Sequence, residues 1–448
     1  MNRRKRSLLY RWLDERLALS ALADFFLNEP MPGGPSPWYV FGSSLFFILL
    51  MQVLTGVMML FYYAPTMDHA WESIRYMMEE VPFGSFIRGL HHWGASAMIV
   101  MALLHVSQVF VWGANKRPRE LTWLAGLTAL GCVLGFAWTG YLLPWDQLSY
   151  WGTIVGTEII GTVPVVGPAV ATFLKGGGSI GAQTLSRFYA IHIWILPALI
   201  FTVVLIHLYL FRRQGVAGPF KGTPEQLEKT KGFFFPRQFF YDVVAALLVF
   251  VVLVLLATLH PPELRSPANP SLAPAHVAPE WYFLFLYQLL KYFPQDWIFV
   301  GTTVIPGLLA LALIGLPFYD RNPNRHPARR KFAMCVFFGT LGIMALLTWL
   351  AIASAPETLK PDPSLAAKGR EIYEAHHCAS CHAIHGEGGD IGPDLSYEAL
   401  AGRSPEWFRQ HFRNPASVVQ GSIMPGAREL GLSEQDIEAL THFMFTLK

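Results

Sequence analysis

Residues 88–106 read RGLHHWGASAMIVMALLHV and place His91 and His105 in an apolar stretch of membrane-spanning length. The two histidines are fourteen residues apart. At 100° per residue this spacing falls about 40° short of four helical turns, so both lie on one face, about 21 Å apart. His92 is the competing partner for His105, but thirteen residues place it about 140° away. The stretch predicts a membrane helix that presents histidine at two depths.

Residues 186–208 read SRFYAIHIWILPALIFTVVLIHL and repeat the arrangement, with His192 and His207 fifteen residues apart. A single histidine in an apolar helix is usually a hydrogen-bonded interior residue, but two matched pairs on antiparallel helices indicate ligands. Imidazole is a common axial ligand of haem iron. We therefore predict two b haems, stacked across the bilayer between histidines of equal depth: His91 with His192, and His105 with His207.

Glycines recur at the same spacing on the neighbouring predicted helices. Gly42 and Gly56 are fourteen residues apart, as are Gly126 and Gly140. Close packing of small residues between membrane helices is one explanation. The shared spacing favours another, in which the glycine backbone makes room for two flat macrocycles. Arg88, one turn before the first histidine, is a candidate partner of a haem propionate or an interfacial anchor.

The composition indicates a membrane protein and excludes an ordinary soluble enzyme. Of the 448 residues 53% are hydrophobic and only 15% charged, against about 25% charged in soluble domains. The net charge of +3 gives no indication of a nucleic-acid partner. Seven segments are long enough to span the lipid, namely residues 38–63, 90–113, 121–143, 188–211, 243–262, 297–319 and 332–355.

Three further segments are expected to lie at the membrane surface. Residues 159–174 are interrupted by prolines and residues 281–293 are too short to span, so both predict interfacial or re-entrant elements. Residues 7–27 predict one surface helix. The expected class is an all-α membrane protein, embedded in lipid, with a small all-α domain after the last span.

Basic residues predict the orientation, because cytoplasmic loops are rich in Lys and Arg. These residues concentrate in the N-terminus and in alternate loops: residues 3–6, 116–119, 212–237 and 321–331. The N-terminus is therefore expected in the cytoplasm and the C-terminus in the periplasm, with the chain in a bacterial inner membrane. The predicted domains are 1–37 (amphipathic segment), 38–240 (four-helix dihaem core), 241–355 (three further helices), 356–363 (linker) and 364–448 (C-terminal polar domain).

A haem attachment motif opens this last domain. Cys378-Ala379-Ser380-Cys381-His382 is a Cys-x-x-Cys-His element, whose thiols form thioethers to one haem c and whose histidine binds the iron. A zinc or thioredoxin-like site is the less favoured interpretation. Met424, about forty residues later, is the expected distal ligand. Three histidines are alternatives: His385, His411 and His442.

These motifs together resemble cytochrome b of the cytochrome bc and b/f complexes over residues 10–355. The segments that match in order are RGLHHWGASAMIV, GYLLPWDQLSYWG, SRFYAIH and the tetrapeptide Pro279-Glu280-Trp281-Tyr282. The seven spans and the fifteen-residue spacing are more similar to the b/f type. That type is usually split into two chains and carries an extra haem on a cysteine. The matching position here is Val40, so no extra covalent haem is expected.

The resemblance implies two quinone sites. At the periplasmic site Glu280 accepts a proton from quinol and Tyr282 lies near the ring, while Tyr150 and Gly152 form the opposite wall. A carboxylate with a pKa raised by an apolar pocket suits this role. Arg212 and Asp242 are candidates for handling charge and protons at a cytoplasmic quinone site, although charged residues at span ends are often only solvated.

The resulting hypothesis is bifurcated quinol oxidation that contributes to proton motive force. The chain has no spare Cys/His pairs for a Rieske cluster, so the Rieske iron–sulfur protein must be a separate partner. A soluble or membrane-bound electron acceptor follows the c haem, and a homodimeric complex is the family expectation. The rival hypothesis is a dihaem membrane anchor that relays electrons for a dehydrogenase or oxidase. It requires the four histidines but not Glu280.

Overall fold

Helices form nearly all the regular structure of the computed structural model, which describes residues 7–271, 277–354 and 359–447. The basic cluster at residues 3–6, the last residue of the predicted span 332–355 and residues 356–358 of the predicted linker lie outside the described residues. The first fifteen α-helices belong to the membrane part: α1 (Leu8–Leu17), α2 (Leu19–Leu27), α3 (Val40–Leu60), α4 (Ala70–Glu79), α5 (Gly84–Val111), α6 (Glu120–Tyr141), α7 (Gln147–Gly161), α8 (Gly167–Lys175), α9 (Ala182–Ala190), α10 (Leu196–Gln214), α11 (Pro224–Lys229), α12 (Phe239–Leu259), α13 (Leu284–Leu290), α14 (Ile305–Tyr319) and α15 (Lys331–Ala353).

The described residues contain seven helical spans of membrane-crossing length and apolarity, which confirms the predicted number. They are Pro37–Leu60, Gly84–Val111, Glu120–Tyr141, Ala182–Gln214, Phe234–Leu259, Val300–Tyr319 and Lys331–Ala353. The short apolar helix Trp281–Leu290 is separate from them, as predicted. The single surface helix expected at residues 7–27 is wrong in detail: α1 and α2 are distinct, because Ala18 between them has a left-handed backbone with φ of 49°.

Two of the spans contain π-turns that prolines explain. Ile191–Ile195 joins α9 to α10 as a π-turn, and Val300–Val304 precedes α14 in the same way. Pro197 and Pro306 follow these turns and have no backbone N–H to bond the carbonyl four residues earlier. The helix adjusts by widening one turn, and such widened turns are frequent at functional sites.

The spans pack through small residues and leave much apolar surface outward, as lipid requires. Gly89 of α5 lies against Ala257 of α12, and a Cβ on Gly89 would stand 2.9 Å from the Ala257 Cβ. Around this contact the buried apolar side chains of α3, α5 and α12 form one cluster: Ile48, Met51, Leu90, Met98, Leu253 and Ala257. By contrast, Leu205 and Leu248 are more than 60% exposed on the outer surface of the helices.

Polar contacts join the N-terminal segment to the loop after α10 and join the loop after α5 to the loop after α14, and we call the side with these loops the N-terminal side. Strand β1 (Pro30–Met31) pairs antiparallel with β2 (Gly232–Phe233). Asp320 after α14 bonds both Lys116 at 2.8 Å and Arg330 at 3.2 Å, with little exposure of any of the three. Because two cations share one buried carboxylate, this triad fixes the loops in place.

The C-terminal domain has its own core and lies on the opposite side, here called the C-terminal side. It contains α16 (Pro363–Ala375), α17 (Pro405–Arg413), α18 (Ala427–Leu430) and α19 (Glu434–Met444), with the short strands β3 (Ala383–Ile384) and β4 (Glu387–Gly388). Gly369 allows α16 to cross α19 closely, since a Cβ there would collide with the Ala439 carbonyl. The buried core includes Tyr373, Phe408, Phe412, Ile437, Leu440 and Phe443.

Candidate haem and quinol site

The four membrane histidines face one another in two pairs across α5 and the α9–α10 span. The ring centroids of His91 and His192 are 6.3 Å apart, and those of His105 and His207 are 6.5 Å apart. A metal about 2 Å from one nitrogen of each imidazole needs centroids about 6 Å apart. The ring of His92 packs instead against Trp93. The geometry thus fits an iron between each predicted pair.

Hydrogen bonds at Nδ1 leave the other ring nitrogen available to a metal. His91 Nδ1 is 3.0 Å from the Thr55 hydroxyl, and His192 Nδ1 is 3.1 Å from the Thr139 hydroxyl. Both hydroxyls already donate to backbone carbonyls one turn earlier, so each accepts from Nδ1–H. His207 Nδ1 donates to the Thr122 carbonyl at 2.9 Å. Such partners fix the tautomer with the Nε2 lone pair free for iron.

The four glycines lie against the imidazoles themselves, a more specific role than making room for macrocycles. A Cβ on Gly140 would stand 2.7 Å from His192 Cε1, which is closer than real Cβ contacts. The corresponding distances are 3.3 Å from Gly56 to His91, 3.2 Å from Gly126 to His207 and 3.6 Å from Gly42 to His105. Gly140, Gly126 and Gly56 therefore let three of the rings approach a neighbouring helix, whereas the distance at Gly42 would also admit a Cβ.

We expect Gly140→Ala to lower haem occupancy at His192, because the added methyl pushes the imidazole away from its partner. Gly131→Ala is the matched control on the same helix, since a Cβ there meets nothing within 4 Å. The b-haem to protein ratio of the purified variants measures the effect. Equal b-haem content in the two variants would show that the His192 ring tolerates the displacement.

A cavity of about 650 Å³ lies next to the His91–His192 pair. Both histidines line it, together with Glu280 and Tyr282 of the loop between the fifth and sixth spans. Trp281 anchors this loop by donating from its indole nitrogen to Ser96 of α5 at 3.2 Å. One continuous space therefore contains the predicted haem ligands and the predicted proton acceptor.

The environment of Glu280 favours its protonated form. Burial raises the pKa of this carboxyl, the nearby Asp146 carboxylate raises it further, and Arg265 lowers it. Burial also raises the pKa of the Tyr282 hydroxyl, with Glu280 adding to the effect. Both groups can therefore hold or pass a proton inside the cavity.

Asp146 is a cavity residue that the sequence did not single out, although it stands in the quoted GYLLPWDQLSYWG segment. Its carboxylate accepts from Ser149 N at 2.8 Å and caps α7, and it accepts from Arg265 N at 3.3 Å. Gln147 N also donates to the Ser266 carbonyl at 2.8 Å. Asp146 thus joins two loops that line the cavity. The capping pattern Asp-x-x-Ser was the available signal.

Tyr150 and Gly152 lie outside the cavity wall expected of them, whereas Arg88 lines the cavity and its predicted role stays a prediction. Tyr150 packs edge-on against Trp145, with centroids 5.6 Å apart, and is buried behind the cavity wall. Gly152 lies beneath Tyr141, which itself lines the cavity. Arg88 lines the cavity and donates to the Pro262 carbonyl at 2.6 Å. The opposite wall is formed here by Asp146, Leu148 and Ser149.

On the N-terminal side Arg212 and Asp242 belong to separate polar contacts. Arg212 pairs with Glu29 at 3.0 Å, and both side chains are less than a fifth exposed. Burial raises the pKa of the Glu29 carboxyl, while Arg212 lowers it. Asp242 accepts from the Gln238 amide at 2.9 Å. Sequence reasoning missed Glu29 because its partner Arg212 is distant in the chain, which no local pattern indicates.

The attachment motif lies on a short turn that holds the histidine in place. His382 Nδ1 is 2.8 Å from the Pro393 carbonyl, which leaves Nε2 free, as in the membrane pairs. Gly392 lies directly against the His382 ring and a Cβ there would collide with it. The geometry fits the predicted haem c ligand.

Among the alternative distal ligands, His442 is already engaged. Its Nδ1 accepts from Asp362 N at 2.8 Å, and its Nε2 is 3.5 Å from Glu438. His411 stacks on Trp407 at 4.7 Å, and burial, Arg403 and His382 lower its pKa to about 4. Met424 packs against the domain core. Met424 stays the predicted ligand, with His411 the more available alternative.

We expect Met424→Ala to keep the haem covalently attached but to lower its reduction potential, because a methionine ligand raises the potential of a c-type haem. Ile423→Ala changes an adjacent side chain that is 84% exposed and serves as the control. Potentiometric titration of the c-haem absorption band measures the shift. An unchanged potential and spectrum would point to His411 or His385.

Known protein families match three successive parts of the chain. Family models match residues 26–215 (Cytochrome b/b6/petB) and 267–361 (Cytochrome b(C-terminal)/b6/petD). A cytochrome bc complex cytochrome b subunit of Chlorobaculum thiosulfatiphilum is 35% identical over 350 residues, covering 77% of this chain and 80% of the relative. The chain belongs to the cytochrome b family. Residues 364–444 match a third model, Cytochrome C oxidase, cbb3-type, subunit III, so a cytochrome c domain follows the cytochrome b part.

Other relatives cover shorter parts of the chain. A menaquinol:cytochrome c reductase cytochrome b subunit of Geobacillus thermodenitrificans is 43% identical over 219 residues, 47% of this chain and 98% of the relative. Cytochrome b6 of Tupiella akineta is also 43% identical, over 213 residues, 48% of this chain and 99% of the relative. A solved structure named hyperthermophilic respiratory Complex III has a TM-score of 0.68 and 33% identity, covering 79% of this chain and 92% of its own. The family's members include subunits of oxidoreductase complexes.

Proposed function

We propose that this chain is the cytochrome b/c subunit of a quinol:cytochrome c oxidoreductase. It oxidises quinol in the cavity on the C-terminal side, reduces quinone on the N-terminal side and thereby contributes to proton motive force. The observation that carries the proposal is the shared cavity. It brings the His91–His192 pair and the buried Glu280 to one space of about 650 Å³, in which a haem between the two histidines and a quinol beside Glu280 would be neighbours.

Four histidines would hold two b haems, one between His91 and His192 and one between His105 and His207. Cys378, Cys381, His382 and Met424 would hold the haem c. Each haem supplies a reversible one-electron carrier when bound. The protein fixes the tautomers of His91, His192 and His207 through Thr55, Thr139 and the Thr122 carbonyl, as the hydrogen bonds at Nδ1 indicate.

Glu280 would accept a proton from quinol and Tyr282 would lie beside the ring. The raised pKa of Glu280 suits a group that binds a proton and then releases it to water. On the N-terminal side, Arg212 with Glu29 and Asp242 with Gln238 would handle charge for a second quinone. Both pairs are at least partly buried, which raises the cost of an uncompensated charge there.

The assembly follows from the same proposal. The basic loops support an orientation with the N-terminal side in the cytoplasm and the cytochrome c domain in the periplasm of a bacterial inner membrane. A separate Rieske iron–sulfur protein would take the other electron of quinol toward the c haem, and a soluble or membrane-bound acceptor would receive it. The complex would be a homodimer, as is usual for this family.

Haem content tests the proposal directly. We expect a pyridine haemochrome assay of the purified chain to give two b haems and one c haem. Only the c haem should survive acid–acetone extraction, because only it is held by thioethers. A second covalently held haem would contradict the interpretation of Val40, and the absence of b haem would exclude the proposed function.

A further inference from the structure

The cytochrome c domain touches the membrane part through an aromatic pair on the C-terminal side. The rings of Tyr397 and Trp71 meet edge to face, with centroids 5.3 Å apart. Trp71 lies on α4 and is only 6% exposed in this arrangement. Tyr397 follows the haem attachment segment and lies beside His385, with ring centroids 6.4 Å apart.

Charged residues surround the aromatic pair. Arg75, one turn along α4 from Trp71, bonds Glu72 at 3.0 Å and Glu79 at 2.8 Å. These charges also affect the Tyr397 hydroxyl. Burial raises its pKa, Arg75 lowers it, and Glu72 and Glu79 raise it. An apolar centre with a polar rim is the usual composition of a protein interface.

The contact is continuous with the wall of the quinol cavity. Trp71 donates from its indole nitrogen to the Arg265 carbonyl at 2.7 Å. Arg265 N in turn donates to Asp146 at 3.3 Å, and both residues line the cavity. Ile74 of α4 lines the cavity as well. The domain therefore rests on a helix that also supports the cavity.

A short connection to the last span, here called the tether, keeps the cytochrome c domain near Trp71, so that a small contact is sufficient to hold it there. Nine residues, 354–362, connect the end of α15 to the start of α16, and nine residues span at most about 30 Å. A short tether gives an effective concentration on the order of millimolar, so a contact too weak to join separate molecules is still occupied. The far end of the tether is fixed to the domain, since Asp362 N donates to His442 at 2.8 Å.

We propose that Trp71 and the adjacent charges of α4 form a docking site for the chain's own cytochrome c domain. The domain leaves and returns to this site, because one aromatic pair and its rim hold it while the tether limits its range. The occupant is this domain rather than another protein, since Tyr397 already fills the contact. The proposal is independent of what the cavity binds.

Spin labelling of the full chain with its haems, in lipid nanodiscs, tests the docking. Gln435→Cys places a nitroxide on the exposed start of α19, and Cys335→Ser removes the exposed thiol of α15. In oxidised protein the room-temperature spectrum separates a slow component, docked, from a fast one, tethered but free. We expect a dominant slow component, with Tyr397→Ala increasing the fast fraction severalfold. Trp71→Ala should do the same without altering the cytochrome c domain.

The control is Tyr76→Ala, which removes a half-exposed aromatic ring from the same helix and should leave the spectrum unchanged. The c-haem absorption spectrum of each variant verifies that the domain is folded. A fast spectrum in the unaltered chain, or no change in either docking variant, would overturn the proposal. A slow component that disappears on dilution would also overturn the proposal, because it indicates docking onto a second copy of the chain. A slow component that appears only when another subunit is added would overturn it as well, because the occupied site then belongs to that subunit.

Discussion

Glu280→Gln is expected to lower quinol:cytochrome c reductase turnover by about 10²–10⁴-fold, the usual contribution of a positioned proton acceptor. Glutamine keeps the shape and most hydrogen bonds of the buried side chain but cannot take a proton. Haem content and spectra should stay normal, because Glu280 contacts none of the proposed ligands. Steady-state turnover of the assembled complex with a quinol substrate measures the effect. The loss of turnover is smaller if water or a neighbouring group accepts the proton in place of Glu280.

The pH profile gives an independent measure. Only the ionised carboxylate accepts a proton, so turnover falls as the pH falls through the Glu280 pKa. Burial and Asp146 raise that pKa, so this limb should lie above the pH at which an exposed glutamate titrates, about 4.3. Glu280→Gln should remove the limb. Glu158→Gln, on the same side of the bundle but 66% exposed and paired with Lys175, is the matched control.

Unchanged turnover with an unchanged profile in Glu280→Gln would show that this residue has a structural role. Reduction of the b haems through the N-terminal-side quinone site should continue in the variant, because that route avoids Glu280. Loss of both routes would instead indicate damage to the whole cavity.

His91→Leu and His105→Leu are each expected to remove one of the two b haems, which lowers b-haem content by about half. Leucine fills the space but has no lone pair for iron. His91→Leu should remove the haem on the C-terminal side and His105→Leu the one on the N-terminal side. Redox titration of the b-haem absorption bands measures which of the two components is lost.

His92→Leu is the control for helical register, because its ring packs against Trp93 rather than toward His192. Its b-haem content should equal that of the unaltered chain. Loss of a b haem in His92→Leu but not in His91→Leu would show that the register is wrong. The assembly of each variant is verified by the retained c haem.

The spans and the histidine pairing could be predicted from the sequence because both depend on local periodicity. His91 and His105 share a face whatever the rest of the chain does, and apolar length alone defines a span. The contact of Gly140 with the His192 ring could not be predicted. It depends on how closely two helices approach, which no local pattern contains.

Contacts between residues that are far apart in the sequence were missed for the same reason. Asp146 joins two loops more than a hundred positions apart, and Glu29, just before β1, pairs with Arg212 in the last turn of α10. Tyr150 illustrates the converse. Its place in a motif suggested the cavity wall, but its buried ring packs edge-on against Trp145.

The π-turn at Ile191–Ile195 reconciles the two histidine spacings. A π-turn takes about one residue more than an α-turn, so fifteen residues through it advance about as far as fourteen without it. The extra residue behaves like a single-residue insertion that the helix has absorbed beside His192. Chains of either length can thus share one cofactor geometry, and a difference of one residue here need not signal a different arrangement of the haems.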